Sequence, residues 1–323
     1  MLIITGAAGF IGSCLVGWLN AAGREDLILV DDFETYEDKT PNLIGKQFAE
    51  KIERTKFIGW WDRQRKISVE AVFHLGARTD TAETDTELFD RLNYRYSQDI
   101  WERCADREIP LIYASSAATY GGGELGYHDN HGLVEKLKPL NAYGRSKNDF
   151  DAWALHQTEA PPHWYGLKFF NVYGPNEYHK GRMASVIYHA FRQIKATGKM
   201  KLFRSHRDDV ADGEQSRDFI YVMDLCRIMH WLWQAEPENG LYNCGTGTSR
   251  TFLDLVRATF SALNRPADIS FIDTPADIRD NYQYFTEADM DKLRAAGYPY
   301  DLYSLEDGVE NYVAKYLVPE KYF

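Results

Sequence analysis

The sequence predicts an α/β protein built on a doubly wound parallel sheet, with a smaller α/β part added towards the C-terminus. Three observations predict this. Short apolar runs alternate with stretches of helical periodicity through the first half of the chain. The first run ends in a glycine-rich loop that opens a helix, and an acidic pair closes the second run. After about Asn171 the alternation gives way to longer polar and aromatic loops.

Residues 2–5 form an apolar run that stops at Gly6, which reads as a buried strand. Ile11, Leu15, Trp18, Leu19 and Ala22 then recur at helical spacing, and Gly23 closes the helix. A second apolar run, 27–30, ends in Asp31 and Asp32. Strand, helix and strand within about 30 residues make a βαβ unit. Further strands are expected at 71–75, 109–114 and 165–170, with helices around 87–107 and 143–157. That order gives a parallel sheet with helices on both faces. Beyond it, 204–216 is a polar loop rich in Asp, Arg and Gly. Residues 219–222 read as a strand, 225–233 as a helix and 241–244 as a short strand, so the chain is expected to return to the sheet there. The expected division is 1–170 plus about 217–245 for the sheet domain, and 171–216 plus 246–323 for the smaller one. No internal repeat or low-complexity linker interrupts it.

Composition narrows the function classes. A chain of 323 residues suggests two domains at roughly 150 residues each, or one large unit with an addition. Hydrophobic residues at 44% and charged residues at 26% fit a globular enzyme rather than a disordered chain. Lys plus Arg is 37 against 48 Asp plus Glu, a formal net charge of -11. That balance argues against nucleic-acid binding, which leaves a basic footprint, but allows a local basic pocket for an anionic small molecule. Cys14, Cys104, Cys226 and Cys244 are far apart and form no C-x-x-C pair, so four buried free thiols are expected and no metal site. The N-terminus carries no signal-peptide pattern, and no apolar run approaches the roughly 20 residues of a membrane span. The expectation is a soluble cytoplasmic protein with no membrane partner.

Gly6-Ala7-Ala8-Gly9-Phe10-Ile11-Gly12 lies between the first strand and the first helix. The turn needs glycine, and the helix start offers free N–H groups and a positive dipole end to a pyrophosphate. With the strand before, the helix after and Asp31-Asp32 about twenty residues on, the loop predicts a Rossmann-like dinucleotide site. The G-x-x-G-x-x-G spacing resembles the extended short-chain dehydrogenase/reductase superfamily, as do His74-Leu75-Gly76-Ala77 and the helical Asn93. By that resemblance the cofactor is expected to meet Gly6, Gly9, Phe10, Ile11, Gly12, Asp31, Asp32, Lys39, Arg54, Leu75, Gly76, Ala77, Arg78, Thr79, Asn93, Lys147, Val172 and Lys180.

Tyr143-Gly144-Arg145-Ser146-Lys147 places a phenol and an ammonium one helical turn apart on one face. A phenol, with a pKa of about 10, is a poor base at neutral pH. A neighbouring ammonium and a cationic nicotinamide ring favour the phenolate and make it usable as acid and base. Ser116, placed just past the strand 109–114, would hold the same substrate oxygen. Alone, Y-x-x-x-K is common; beside the glycine loop and Ser115-Ser116 it implies hydride transfer coupled to proton transfer.

Longer stretches are informative: Tyr113-Ala114-Ser115-Ser116-Ala117-Ala118-Thr119-Tyr120-Gly121-Gly122, Phe170-Asn171-Val172-Tyr173-Gly174-Pro175, His179-Lys180-Gly181, Met183-Ala184-Ser185-Val186, Arg217-Asp218-Phe219, Tyr282-Gln283 and Leu293-Arg294-Ala295-Ala296-Gly297-Tyr298. Together they resemble one family of nucleotide-sugar epimerases, the ADP-heptose 6-epimerases of lipopolysaccharide inner-core synthesis. The resemblance implies transient oxidation at C6 of the ADP-heptose by NADP, with NAD as the alternative. Rotation of the ketone and return of the hydride to its other face would follow. Inversion then needs two proton-handling groups, Tyr143 and Lys180, with Lys147 and Ser116 completing the catalytic set. A solvated loop lysine, or a phosphate contact, is the other reading of Lys180. Substrate contacts implied are Ser116, Asn171, Arg182, His189, Phe203, Arg204, Ser205, His206, Arg217 and Tyr282. For His189 a core position is the alternative, and for Tyr282 an ordinary packed aromatic. Relatives form rings, commonly pentamers, so a homo-oligomer is implied.

Three departures stand out. Arg182 replaces a small hydroxyl residue, 207–215 is longer than in some members and holds four acidic residues, and Asp31-Asp32 replaces the commoner Asp-Asn pair. The last favours NAD, while Lys39 and Arg54 offset it for NADP. Two rivals remain at this level, a UDP-hexose 4-epimerase and a non-catalytic NADP-sensing relative. Sensing relatives lose the Tyr or the Lys, and this chain keeps both. Nucleotide-sugar dehydratases carry Asp-Glu where this chain has Ala117-Ala118, which disfavours elimination.

Overall fold

The computed structural model describes residues 1–64, 66–275, 279 and 283–323. Twelve strands are described: β1 (Leu2–Thr5), β2 (Leu27–Asp31), β3 (Glu50–Glu53), β4 (Ala71–His74), β5 (Leu111–Ser116), β6 (Trp164–Phe169), β7 (Asn171–Tyr173), β8 (Met200–Phe203), β9 (Ser216–Tyr221), β10 (Gly240–Cys244), β11 (Ser249–Thr251) and β12 (Ile269–Ile272). Seven form one parallel sheet in the order β10-β6-β5-β4-β1-β2-β3. The helices that cover it are α1 (Phe10–Ala21), α2 (Arg54–Arg63), α3 (Thr86–Phe89), α4 (Tyr96–Asp106), α5 (Ala142–Leu155) and, after α6 (Val186–Thr197), α7 (Val222–Ala235).

Strand alternation assigns the faces. Leu2, Ile4, Leu27 and Leu29 point to one side, with Leu15 and Leu19 of α1 and Leu225, Met229 and Leu232 of α7. Ile3, Ile28, Val30 and Val72 point to the other, with Phe57 and Trp61 of α2, Trp101 of α4 and Phe150 of α5. The doubly wound α/β arrangement read from the sequence is therefore the observed one. From β1 the chain winds outward to β2 and β3, and β4, β5, β6 and β10 follow on the other side. The strand order thus reverses between β1 and β4, and a crevice opens at the carboxyl ends of strands at such a point.

The remaining strands form two small sheets, β11-β9-β7 and the parallel pair β12-β8. This corrects one expectation: the run 219–222 does not rejoin the central sheet. β9 ends at Tyr221 and pairs with β7 and β11, because Phe219 packs on Phe252 and Tyr221 stacks on Tyr173. Only β10 returns to the large sheet, beside β6. A second correction concerns Ser116. It is the last residue of β5, not a residue beyond it, because Ser115 and Ser116 continue the ladder opposite Lys168 and Phe169. A third concerns the helix expected over 87–107, which is interrupted by a π turn, Asp90–Arg95, holding Asn93. The polar edge strand β3 and helix α2 gave no periodic signal. The cysteine expectation holds, since all four thiols are free and buried. Among the described residues no helix is long and apolar enough to cross a membrane, and no group of three His, Cys, Asp or Glu side chains is placed to hold a metal.

Candidate active site

The glycine loop fills the switch point. Gly6 has φ +67, and a Cβ there would lie 2.7 Å from the backbone of Gly76, so β1 and β4 approach only because both turns lack side chains. A Cβ on Gly12 would lie 2.1 Å from the Gly6 carbonyl oxygen. Helix α1 follows Gly9 at its N-cap, with no side-chain cap and no acidic residue in its first turn. Its first N–H groups are left to solvent or to an anion. His74 braces this turn from below: its Nδ1 is 2.7 Å from Thr5 Oγ1 and its Nε2 2.9 Å from Ser97 Oγ. Thr5 Oγ1 accepts from the N–H of Gly76. Burial pushes the His74 pKa down to about 3, and the Lys147 cation adds to that, so the imidazole is neutral.

The resulting crevice is lined by Gly6, Gly9, Phe10, Ile11, Gly12, Asp31, Asp32, Lys39, Arg54, Gly76, Ala77, Arg78, Thr79 and Lys180, all singled out from the sequence. Tyr36 and Tyr96 also line it and were not, and His179 and Met183, marked in the sequence only as parts of family stretches, line it too. At its far end, Asp31 Oδ2 accepts from the N–H of Ala8 and Oδ1 from that of Asp32. Lys39 Nζ lies 3.3 Å from Asp31, and Arg54 3.2 Å from Asp32. Burial alone would raise the Asp32 pKa, but hydrogen bonds from Thr35 and Arg54 hold it below the ordinary carboxylate value. These residues fit a dinucleotide: uncapped amides for the pyrophosphate, carboxylates for a ribose, and two cations beside them.

Leu75 stands half-buried just past the end of β4, and Asn93 is buried. The Asn93 amide is fully engaged within the protein. Its Oδ1 accepts from Arg78 N at 2.8 Å, and its Nδ2 donates to Arg78 O at 2.9 Å and Ser146 Oγ at 3.0 Å. It therefore pins the loop after β4 to α5 rather than presenting a free side chain.

On α5, Tyr143, Lys147 and Asp151 follow at four-residue spacing and share a face. Tyr143 is half-buried and its ring packs 6.4 Å from Phe89. Burial raises its pKa, and the Ser116 hydroxyl beside the phenol opposes that, so the sequence-predicted Tyr143 and Ser116 are brought together. Lys147 donates to the Ala114 carbonyl at 2.9 Å. Burial lowers its pKa to about 8, with the Asp151 charge opposing, so at neutral pH the ammonium predominates. Beneath lies a buried network that sequence reasoning missed. Asp151 accepts from Tyr113, from Ser115 at 2.6 Å and from Lys168 at 2.7 Å, and Lys168 also reaches Thr119. Every polar atom of this ion pair faces a partner, which is the condition under which burial is tolerated.

Lys180 is carried by a 3-10 turn, Tyr178–Met183, and lies 5.3 Å from the Phe10 ring. Burial lowers its pKa and the Glu177 charge opposes that. Glu177 is itself wholly buried. It accepts from Ser185 N and Ser185 Oγ, and so anchors the turn to the start of α6.

The remaining predicted residues are placed as follows. Asn171 is exposed and Val172 half-buried on β7, just beyond β6. Arg182 is exposed, and His189 is half-buried on α6 against Tyr188, so the structure does not bury it as a core histidine. Phe203, Arg204, Ser205 and His206 run off the end of β8, with Ser205 N bonded to Asp212 and His206 N to Tyr284. Arg217 is buried over the Phe252 ring and bonded to the Gln283 carbonyl. Tyr282 lies outside the described residues.

A glycine loop at a topological switch point, with a Tyr/Lys pair and a serine at the neighbouring strand end, defines a nucleotide-dependent redox site of the short-chain dehydrogenase type. Consistent with that class, residues 2–245 match the model of the NAD dependent epimerase/dehydratase family. The chain is 45% identical, over 99% of each sequence, to an ADP-L-glycero-D-manno-heptose-6-epimerase of Fusobacterium nucleatum. It is 48% identical, over 98% of each, to one from Nitratidesulfovibrio vulgaris. The Helicobacter pylori ADP-L-glycero-D-manno-heptose-6-epimerase structure matches with a TM-score of 0.79 at 28% identity, covering 97% of this chain and 95% of that one. The chain thus belongs to the NAD dependent epimerase/dehydratase family and, within it, to the ADP-L-glycero-D-manno-heptose-6-epimerases.

Proposed function

We propose that the enzyme inverts C6 of the heptose in ADP-D-glycero-D-manno-heptose to give the L-glycero epimer, with Tyr143 and Lys180 as its two proton-handling groups. The observation that carries this reading is their separate placement. Tyr143 stands on α5 beside Ser116, and Lys180 on the turn that borders the cofactor crevice. The glycine loop 6–12, Asp31 and Asp32 would hold a nicotinamide cofactor, which would supply reversible hydride chemistry at C6. Tyr143 takes the hydroxyl proton, Ser116 holds the same oxygen, and the Lys147 ammonium favours the phenolate. After the ketone turns, Lys180 delivers a proton in the second orientation, and exchange with solvent returns Tyr143 and Lys180 to their starting protonation states. The overall change is inversion without net oxidation. Asn171, Arg182, His189, the segment 203–206, Arg217 and Tyr282 belong to the substrate side of this reading.

NADP is the cofactor we propose, because Lys39 and Arg54 can turn from their carboxylates to a 2′-phosphate. Asp32→Asn is then expected to raise NADP affinity relative to NAD by about five-fold, from one repulsion of about 1 kcal/mol removed. Dissociation constants of both cofactors for the two proteins measure it, and an unchanged ratio refutes it. A cytoplasmic homo-oligomer acting in lipopolysaccharide core synthesis is part of the same reading and rests on the family alone.

The function itself is tested by incubating the purified protein separately with ADP-D-glycero-D-manno-heptose and with UDP-galactose, and resolving the epimers by NMR. Conversion of the ADP-heptose at C6 is the expected result. Turnover of the UDP-hexose alone, or of neither, overturns the reading.

A further inference from the structure

We propose that Asn42 is a positioning residue for Lys180, locking the turn that carries the lysine onto the cofactor loop. Neither a motif nor the family reading drew attention to it. Asn42 is 1% exposed and sits near the end of the 3-10 turn Glu37–Leu43, three residues after Lys39. Its amide nitrogen donates to the carbonyl of Ala8, inside the glycine loop, at 2.9 Å. The same nitrogen donates to the carbonyl of Asn176 at 3.1 Å and touches His179 Nδ1 at 3.3 Å. An amide NH₂ has two protons, so the two carbonyls take one each and the His179 contact is secondary. One buried side chain therefore joins the loop built for the pyrophosphate to the segment just before Lys180.

The attachment is specific to that segment. Asn176 is wholly buried and adopts a left-handed backbone, φ 72. Its own amide reaches Ser13 on α1 at 2.9 Å, and the Pro175 carbonyl accepts from Cys14. Glu177 ties the same stretch to Ser185 on its other side, and the Lys180 N–H bonds back to the Glu177 carbonyl at 2.9 Å. Lys180 thus projects from a turn clamped at both ends. Asn42 is the member of the clamp that reaches the cofactor loop. A lysine that must meet a reacting oxygen tolerates little displacement, since a misplacement of about 1 Å can cost about 100-fold in rate.

This inference rests on the proposed acid/base role of Lys180, and a double-mutant cycle separates the two. Asn42→Ala, Lys180→Met and the double variant are assayed for epimerisation at saturating cofactor and substrate, with cofactor binding measured by fluorescence. Asn42→Ala is expected to lower kcat by about 10–100-fold, with KM and cofactor affinity held within about three-fold. In the Lys180→Met background the same substitution should cost less than about two-fold, because the group it positions is already gone. Losses that multiply in the double variant overturn the proposal, as does a kcat restored simply by raising cofactor, which would make Asn42 a brace of the glycine loop only. Wild-type turnover in Lys180→Met alone overturns the role of Lys180 and this inference with it. Asn42→Ser, which keeps a short polar group, supplies the cycle if the alanine variant does not fold.

Discussion

Tyr143→Phe is expected to abolish epimerisation while leaving the fold and cofactor binding intact. Only the phenolic oxygen is removed. The ring keeps its place against Phe89, and Ser116 keeps the bond it accepts from the Ala118 N–H. Lys147 stays anchored on the Ala114 carbonyl, so the edge of the cofactor site next to α5 is unchanged. What is lost is the group that can exchange a proton with the C6 oxygen, and loss of such a group costs typically about 10²–10⁴ in rate. Without it no group on α5 takes the hydroxyl proton as the hydride leaves, and Ser116, which only holds that oxygen, does not replace it. Turnover of the ADP-heptose, a thermal melt and a cofactor titration on one preparation check the prediction. Full activity, or loss of cofactor in the variant, counts against the catalytic role.

The parts of this site that were legible in the sequence are those in which chemistry is concentrated in a short segment. Gly6 and Gly12 had to be glycine because a Cβ at either would overlap neighbouring backbone, Gly9 sits tightly against the Gly6 carbonyl, and the loop is seven residues long. Tyr143 and Lys147 were legible because helical spacing alone puts them on one face. The parts that stayed hidden depend on pairings across the chain. Asn42 meets Ala8 and Asn176, which are 34 and 134 residues away, and nothing near it in sequence reports either partner. Asp151 and Lys168 looked like ordinary charged residues of a helix and a strand, yet both are buried and bonded to each other. A charged residue in an apolar run is read as exposed unless its partner is known. The same limit misplaced 219–222: an apolar run announces a strand, but its sheet is decided by distant partners such as Asn171–Tyr173. Ser115 and Ser116 ended the apparent strand early because hydroxyls break an apolar pattern, although these two are buried in the ladder.

Lys180→Met decides whether the mechanism has two bases or one. If the carbonyl is presented in two orientations, Tyr143 serves one and Lys180 the other, and each single variant loses epimerisation of the whole substrate. Each should still perform one hydride-transfer half-reaction on a shortened aldehyde analogue, because the remaining residue acts alone in its own orientation. The environment of Lys180 suits this role. Burial lowers its pKa, with the Glu177 charge opposing, so proton loss is easier than from a solvated lysine. Met keeps the length and apolar contact of the stem, including its place over the Phe10 ring, and removes only the charge and the protons. An acid/base role predicts a fall in kcat of about 10²–10⁴ with KM nearly kept. A lysine that only holds a phosphate of the substrate predicts the reverse, a raised KM with turnover nearly kept. Steady-state kinetics over a wide substrate range separate the two outcomes. Wild-type turnover with weak substrate binding removes Lys180 from the reacting groups and leaves Tyr143 to handle the proton in both orientations.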